Sequence, residues 1–252
     1  MEIGILSFAQ ISDCHLYGDK AALHYGVNVY ENFCLVLEQI KNNSVIEFIV
    51  FTGDLSQDHS ERSYQNFADA VQSANITIPI YFLAGNHDEI TLLDKYLSLS
   101  PFQSTKTITH AKWQIQLVNS KSATPSGFIS YKESERLLTM VEPNMHQIIL
   151  MHHHPVNVGY FIDKHGLINK ADFYQTLNKM STIRAVACGH IHNAIDLPID
   201  TGEKNIPLFT CPATSIQFKQ SSSLENSGKP AGFRIFKLHN NGLVNSQVTF
   251  IR

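Results

Sequence analysis

The feature that constrains this chain most is a set of five short apolar runs, each followed at once by polar side chains that can bind a metal ion. The runs span Ile5–Ile11, Ile46–Phe51, Ile78–Leu83, Ile148–Met151 and Ile183–Ala187. Their lengths and their content of Ile, Val and Phe predict β-strands. Amphipathic helical segments lie between several of them, so we expect an α/β fold. In such folds, ligands bind at the carboxyl ends of the strands.

The residues that follow these runs have the chemistry of metal ligands. In chain order they are Asp13, His15, Asp54, Asn86, His87, Asp88, His152, His153, His154, His190 and His192. Imidazoles together with carboxylates and an amide oxygen suit divalent first-row ions such as Mn, Fe or Zn. These candidates exceed what one tetrahedral ion needs and suffice for two ions that share a carboxylate.

Each motif also has a structural interpretation when it is taken alone. Gly53-Asp54 is a common turn dipeptide, and Gly85-Asn86 is typical of a loop with Asn in the left-handed region. Two histidines at i and i+2, as in His190-x-His192, face the same way on an extended segment, which favours a shared ligand. The occurrence of five such motifs in order, each at a strand end, favours the metal site over five independent turns.

Three consecutive histidines follow the fourth run, and strand alternation separates their roles. His152 and His154 share one face of an extended segment, whereas His153 points to the other. Met151 ends the apolar run, so His152 is the first residue to clear the sheet, and Pro155 keeps His154 extended. We therefore predict that His152 binds metal, that His154 supports the site or touches substrate, and that His153 is mainly structural.

The rest of the pattern predicts two stacked sheets with helices outside. Apolar spacing predicts helices across residues 29–40, 64–71 after an Asp58-x-x-Glu61 start, from Ser130-x-x-Glu133 onward, and 173–180. Residues 112–118 alternate as a strand. Further strands are expected at 208–211, 215–218, 233–238 and 244–251, the last two joined by the hairpin signal Asn240-Asn241-Gly242. We expect one α/β domain over residues 1–252, a four-layer sandwich of two mixed sheets flanked by helices, with the metal site at the strand ends.

Composition excludes several other classes of protein. The 252 residues are 43% hydrophobic and 16% charged, which excludes a disordered chain, and the net charge of −3 comes without a basic stripe for nucleic acid. The apolar runs are too short to cross a bilayer. The four cysteines are scattered and the first ten residues lack a signal-peptide pattern, so we expect a cytoplasmic protein that binds neither membrane nor nucleic acid.

The ordered motifs resemble the signature of the calcineurin-like metallophosphoesterases. The signature corresponds here to Asp13-x-His15, Gly53-Asp54, Gly85-Asn86-His87-Asp88, His152 and Gly189-His190-x-His192. Further segments resemble the bacterial class III 3′,5′-cyclic AMP phosphodiesterases, among them 151–155, 165–169, 188–192 and 213–218. Protein phosphatases of the superfamily carry Asp-Arg-Gly soon after Gly-Asp. Leu-Ser-Gln-Asp stands here instead, which argues against a phosphoprotein substrate.

The resemblance implies a role for each of these residues. Asp13, His15 and His192 would hold one ion, Asn86, His152 and His190 the other, and Asp54 would bridge them. His87 would supply a proton to the leaving group, with Asp88 orienting its ring. The substrate would contact His15, Asp54, Asn86, His87, His152 and His192. His165 and Asn169, in a loop that covers the site, would contact it too.

The function expected from these features is hydrolysis of cyclic AMP to 5′-AMP by a monomer or homodimer. A broad phosphomonoesterase or phosphodiesterase for other small phosphate esters remains the alternative. A binding module that has lost catalysis is disfavoured because every ligand position is filled. Tyr17, Tyr160, Phe161 and Phe218 are candidates to stack on a base or simply to pack. The remaining histidines, including His24, His59, His110, His146 and His239, are expected to be ordinary surface or core residues.

Overall fold

A computed structural model describes residues 4–251 of the chain. The strands are β1 (Ile5–Ile11), β2 (Leu23–His24), β3 (Val27–Asn28), β4 (Phe48–Phe51), β5 (Ile80–Phe82), β6 (Phe102–Gln103), β7 (Thr107–His110), β8 (Trp113–Val118), β9 (His146–Met151), β10 (Ile183–Cys188), β11 (Asp196–Asp200), β12 (Asn205–Thr210), β13 (Gly232–His239) and β14 (Val244–Phe250). The helices are α1 (Val29–Lys41), α2 (Glu61–Ser73), α3 (Ile90–Tyr96), α4 (Tyr131–Met140) and α5 (Lys170–Lys179), with a 3₁₀ turn at Phe161–His165.

Two six-stranded mixed sheets form the centre of the molecule. The first has the order β14-β13-β1-β4-β5-β6 and the second β11-β12-β10-β9-β8-β7, while β2 and β3 form a separate hairpin. Strands β1, β4 and β5 are parallel to one another, as are β8, β9, β10 and β12. The carboxyl ends of β1, β4, β5, β9 and β10 carry the predicted ligands.

Three apolar clusters define four layers. One cluster fills the space between the sheets and includes Phe8, Trp113 and Phe236, all fully buried. A second joins the outer face of the first sheet to α1, α2 and α3, for example through Phe33 and Phe67. The third joins the outer face of the second sheet to α4 and α5. Alternate residues of each strand therefore face different clusters, and the predicted four-layer sandwich is confirmed.

Some of the secondary-structure predictions were wrong. Residues 215–218 form no strand; the side chain of Gln217 instead makes hydrogen bonds with the backbone N–H and C=O of Ala213. Asp58 does not begin α2, because Ser60 is the N-cap and accepts a hydrogen bond from the Ser63 N–H. Helix α3 and strand β11 had no clear periodic signal and were not expected.

Within residues 4–251 we find no helix that combines the length and the apolar character needed to span a bilayer.

Candidate metal centre

The predicted ligands converge at one edge of the sandwich, around a cavity of about 580 Å³. Its floor includes His15, Asp54, Asn86, His190 and His192, which come from both sheets. The sequence separates some of these residues by more than 170 positions, as with His15 and His192, whose Nε2 atoms lie 3.1 Å apart. The parallel strands bring them together because their carboxyl ends meet at this edge.

The backbone at the strand ends is unusual. Asp13, His15, Asp54, His190 and His192 all have positive φ angles, between 48° and 68°. Residues other than glycine rarely adopt this left-handed region, and doing so costs conformational energy that the surrounding structure must offset. Five of the seven predicted ligands share this feature, so the strand ends are turned sharply to aim their side chains inward. Such strained residues cluster at functional sites.

Two glycines allow the loops of the first sheet to approach one another. A Cβ on Gly53, which has φ 95°, would clash with the backbone of Gly85, and a Cβ on Gly85 would clash with Asp54. This contact packs the Gly-Asp and Gly-Asn-His-Asp loops directly against each other. Any larger residue at either position would push Asp54 away from Asn86.

One cluster of ligand atoms is formed by Asp13, His15 and His192. Asp13 Oδ1 lies 3.3 Å from His192 Nε2, and the Asp13 carboxylate also accepts a hydrogen bond from the His190 backbone N–H at 3.0 Å. The three side chains are buried, and one candidate ligand atom from each lies within 4.8 Å of the others. This is the set of three predicted for one ion.

A second cluster is formed by Asp54, Asn86, His152 and His190. His152 Nε2 lies 3.1 Å from Asn86 Oδ1, 3.1 Å from His190 Nδ1 and 3.3 Å from Asp54 Oδ2. The same Asp54 oxygen lies 3.7 Å from His15 Nε2 in the first cluster. One carboxylate oxygen therefore faces both clusters, as a bridging ligand must.

The outward nitrogens of three rings fix which atoms can bind metal. Nδ1 of His152 donates to the Thr52 carbonyl at 2.8 Å, Nδ1 of His192 donates to Ile216 O at 2.9 Å, and Nε2 of His190 donates to His165 O at 3.1 Å. In a neutral ring the opposite nitrogen then carries a lone pair, and these lone pairs point into the clusters. Such backbone bonds are typical of metal-bound histidines, so the donor set fits two cations.

Burial and neighbouring charges shift the pKa values of three histidines in the two clusters. Burial lowers the pKa of His15 and of His190 well below the ordinary value, and neighbouring histidines lower it further. Burial also lowers the pKa of His152, but the Asp54 carboxylate outweighs it and raises that pKa to about 9. Without metal, His152 therefore carries a proton on Nε2, and this proton lies between that atom and the lone pair of His190 Nδ1, 3.1 Å away. A metal ion would replace that proton.

His153 and His154 are held by other hydrogen bonds, although one ring nitrogen of His153 lies within 4.8 Å of candidate ligand atoms of His152 and His190. His153 is hydrogen-bonded through Nδ1 to Ser120 Oγ at 2.8 Å and through Nε2 to the Pro125 carbonyl at 3.2 Å. His154 Nε2 lies 3.1 Å from Asp163 Oδ1, which ties the strand end to the 3₁₀ turn. Both rings are buried, and only His152 of the three directs a free nitrogen at Asp54.

His87 lies in the cavity beside the clusters. Its backbone N–H donates to Asp54 Oδ1 at 2.8 Å, and its ring packs edge-on against His15 with centroids 4.9 Å apart. Burial lowers the pKa of the His87 ring despite the opposing effect of Asp54. The ring is therefore neutral near pH 7 and can offer an N–H to a bound group.

The expected role of Asp88 was wrong. Its buried carboxylate does not contact the His87 ring but accepts backbone N–H bonds from Asp54, Leu55 and Gly85, each at 2.8 Å. Burial, followed by the charge of Asp54, raises the pKa of Asp88 to about 6, although the bonds from Gly85 and Leu55 act the other way. Asp88 positions the two loops that carry Asp54 and Asn86.

Asn169, which was predicted to contact substrate, does not line the central cavity. Its amide pairs with the backbone N–H and C=O of Ile129, at 3.1 and 2.8 Å, and lines a separate groove between α4 and α5. His165 does line the central cavity, as do Tyr17, Phe161 and Phe218, whereas Tyr160 does not.

Two histidines that we expected to be ordinary belong to the site surroundings. His24 stacks on His15 with centroids 5.5 Å apart, and His59 stacks on His87 at 5.7 Å. His24 reaches the cavity because Tyr25 and Gly26, both with positive φ, form the two-residue turn of the β2–β3 hairpin. In the sequence, the Tyr25-Gly26 dipeptide could have indicated this turn. No periodic pattern in the sequence could have indicated that His59 lies near the site.

The fold and the paired clusters define a class of hydrolytic metalloproteins. A family model described as "Calcineurin-like phosphoesterase" matches residues 6–194. The chain belongs to this family, whose members use a dinuclear metal centre. The chain is 49% identical over 253 residues to a protein of Colwellia psychrerythraea named "Probable cyclic nucleotide phosphodiesterase", covering 98% of this chain and 95% of that protein. It is 33% identical to the 3′,5′-cyclic adenosine monophosphate phosphodiesterase CpdA of Escherichia coli, covering 95% of this chain and 87% of that protein.

Solved structures show the same fold at much lower identity. A dimetal phosphatase from Danio rerio superposes with a TM-score of 0.66 at 11% identity, covering 99% of this chain and all of that one. A purple acid phosphatase from yellow lupin gives a TM-score of 0.63 at 11% identity, covering 98% of this chain and 54% of that one. The family resemblance and the sandwich predicted from the sequence are confirmed.

Proposed function

We propose that this protein hydrolyses 3′,5′-cyclic AMP to 5′-AMP at a dinuclear metal centre. The observation that carries the proposal is the position of Asp54 Oδ2, which faces His15 Nε2 of one ligand cluster and His152 Nε2 of the other. The names of relatives at 49% and 33% identity supply the substrate class. The cavity above the clusters is open and large enough for a mononucleotide.

Seven residues are proposed to hold the two ions. Asp13, His15 and His192 serve one, and Asn86, His152 and His190 serve the other, with Asp54 shared between them. We propose Fe, Mn or Zn, because the donors are imidazole nitrogens together with carboxylate and amide oxygens and no thiolate. Bound there, the ions would neutralise charge on the phosphate and lower the pKa of a water molecule that attacks phosphorus.

The chain itself supplies the group next to the leaving oxygen. Opening the cyclic diester breaks the bond between phosphorus and the 3′ oxygen, which must gain a proton. The ring of His87 lies in the same cavity as Asp54 and Asn86, and its N–H can stabilise the charge that develops on that oxygen by a hydrogen bond while solvent supplies the proton. The His87 backbone N–H donates to Asp54 Oδ1, so the residue that stabilises the leaving oxygen and the proposed bridging carboxylate keep a fixed relation.

A cytoplasmic location fits this proposal. The free cysteines are Cys14, Cys34, Cys188 and Cys211, and burial raises the pKa of each thiol. Unpaired thiols are typical of reducing compartments, where cyclic nucleotides also act as internal signals.

The test is a substrate panel with product analysis. Protein loaded with Mn or Fe is expected to convert 3′,5′-cyclic AMP to 5′-AMP and to release little inorganic phosphate, as followed by chromatography. Asp54→Asn purified in parallel serves as the control for contaminating enzymes and is expected to be inactive. If nitrophenyl phosphate or 5′-AMP turns over far faster than any cyclic nucleotide, the diesterase proposal is wrong and a phosphomonoesterase takes its place.

A further inference from the structure

Besides the candidate metal ligands, the cavity is lined by two chemically different groups of side chains. One group, the hairpin wall, consists of Tyr17, His24 and Tyr25, whose rings all carry polar atoms. The other group, here called the apolar wall, consists of Phe161, Ile162, Phe218 and Leu224, and the polar side chains of Lys164 and His165 line the cavity from the same 3₁₀ turn as Phe161. A nucleotide held by its phosphate at the ligand clusters must extend its base over one of these walls.

The apolar wall is joined directly to the ligand clusters through ring contacts. Phe218 stacks on His192 with centroids 3.9 Å apart and planes 7° from parallel. Phe161 then packs against Phe218, with centroids 4.9 Å apart. Phe161 is therefore two ring contacts away from the candidate ligand His192.

The members of the apolar wall differ in what they can still contact. Phe218 is 6% exposed, because His192 covers one face and Phe161 packs against the ring. Phe161 is partly buried, with Lys164 Nζ 5.7 Å from its ring centroid, and Leu224 is 36% exposed. Phe161 and Leu224 are therefore the residues with surface left for a ligand, while Phe218 supports them.

The loop that carries Leu224 is anchored beside the 3₁₀ turn. The Phe161 N–H donates to the Ser221 carbonyl at 2.9 Å, which joins the two segments. The Lys219 N–H donates to Glu225 O and the Ser227 N–H to Gln217 O, both at 2.8 Å. The two sides of the wall are thus held in place before a ligand arrives, which reduces the entropy lost on binding.

We propose that the apolar wall binds the nucleobase, with Phe161 as the stacking surface and Leu224 covering the edge of the base. This assignment rests on the proposed function, since it takes the phosphate to lie at the ligand clusters. The hairpin wall is less suitable, because His24 already stacks on His15 and shares a hydrogen bond with the Tyr17 hydroxyl at 3.1 Å. Its polar atoms suit the ribose instead.

The composition of the apolar wall determines the expected selectivity. Its four side chains have no hydrogen-bonding atom, so they cannot read the edge of a base. Stacking is tolerant of base identity because every base has a π-face, and larger bases bury more surface. We therefore expect adenine and guanine nucleotides to bind about equally and both to bind more tightly than pyrimidine nucleotides.

The test compares two ligands that differ only in the base. Binding of 5′-AMP and of ribose 5-phosphate to Mn-loaded protein is measured by calorimetry, so that the ratio of their dissociation constants reports the base. We expect a ratio of about tenfold or more in the unaltered protein, the size of one stacking contact. Phe161→Ala and Leu224→Ala should reduce this ratio, the first to near one, without changing the affinity for ribose 5-phosphate.

Two further variants keep the test specific. Phe128→Ala removes an aromatic ring that is 46% exposed and lies outside the cavity, and it should leave the ratio unchanged. Phe161→Tyr keeps a stacking surface and should preserve the ratio. Far-ultraviolet circular dichroism and metal content check that each variant is folded and loaded.

The outcomes separate this inference from the proposed function. If the unaltered protein hydrolyses cyclic AMP but Phe161→Ala and Leu224→Ala leave the ligand ratio unchanged, the apolar wall is not the base site and the function stands. If the ratio falls as expected while no cyclic nucleotide is hydrolysed, the base site stands and the proposed reaction is wrong. Equal loss of both ligands in Phe161→Ala would also overturn the assignment, because it indicates a disturbed phosphate site.

Discussion

His87 is the residue whose chemistry depends most on its surroundings. Removing its ring in His87→Ala should keep both metal ions, since the contact with Asp54 is made by the His87 backbone N–H. Hydrolysis of cyclic AMP should fall about 10²-fold or more, the usual effect of losing a hydrogen-bond donor that stabilises charge in the transition state. A nitrophenyl diester should lose much less, because its leaving group needs little stabilisation.

The control for this variant is His110→Ala, whose ring is exposed and makes only a long contact with Glu47. It should behave as the unaltered protein on both substrates. Equal losses on cyclic AMP and the nitrophenyl diester in His87→Ala would show that His87 does not assist the leaving group.

The run of three histidines gives a second prediction at this scale. His152→Ala should lose one of two ions and nearly all activity, because its Nε2 contacts Asp54, Asn86 and His190. His153→Ala should retain both ions, since both of its nitrogens are engaged with Ser120 and Pro125. Metal analysis of the two purified variants checks this. A His153→Ala protein with one ion beside a His152→Ala protein with two would reverse the assignment.

The loops of the first sheet act as one unit, and Asp88 joins them. Asp88→Asn replaces one carboxylate oxygen by an amide NH2 group, which cannot accept a hydrogen bond, so the remaining oxygen can serve either the Leu55 N–H or the Asp54 and Gly85 N–H groups but not all three. Leaving a buried N–H without an acceptor costs about 1–3 kcal/mol, so urea denaturation should show a free energy of unfolding lower by about that amount. Metal affinity should fall as well, because Asp54 is no longer fixed.

The control for Asp88→Asn is the same substitution at Asp69 in α2. Asp69→Asn makes the same chemical change at a carboxylate that forms no hydrogen bond within residues 4–251, and its stability should stay within about 0.5 kcal/mol of the unaltered protein. If Asp88→Asn is no less stable than Asp69→Asn, the three backbone bonds do not hold the loops.

The elements that could be predicted are those with a strong periodic pattern. Strand β1 spans Ile5–Ile11 as expected, and α4 begins after the N-cap Ser130. The strand predicted at residues 215–218 was wrong because Phe218 packs on His192 at the wall of the cavity rather than in a sheet. The candidate ligands lie together because the carboxyl ends of parallel strands converge at one edge in α/β folds. The walls come from loops such as the one that carries Leu224, whose placement depends on tertiary contacts that no local pattern encodes.

At the scale of the molecule, the candidate metal ligands come from both sheets. Asp13, Asp54 and Asn86 follow strands of the first sheet, whereas His152, His190 and His192 follow strands of the second. Each cluster therefore contains donors from both sheets. Ions bound there would link the two halves of the sandwich, and their binding free energy would add to the stability of the fold.

Metal removal should therefore change stability as well as activity. Protein treated with a chelator is expected to lose hydrolysis and to unfold at a lower temperature, because ions that bind the folded state and not the unfolded chain stabilise it by mass action. Adding Mn or Fe should restore both properties, and metal analysis of the reloaded protein should give two ions per chain. The control is Asp54→Asn, which lacks the shared carboxylate and should show a smaller thermal shift on reloading. A reloaded protein that never exceeds one ion per chain would contradict the dinuclear centre, since one ion needs only one of the two clusters.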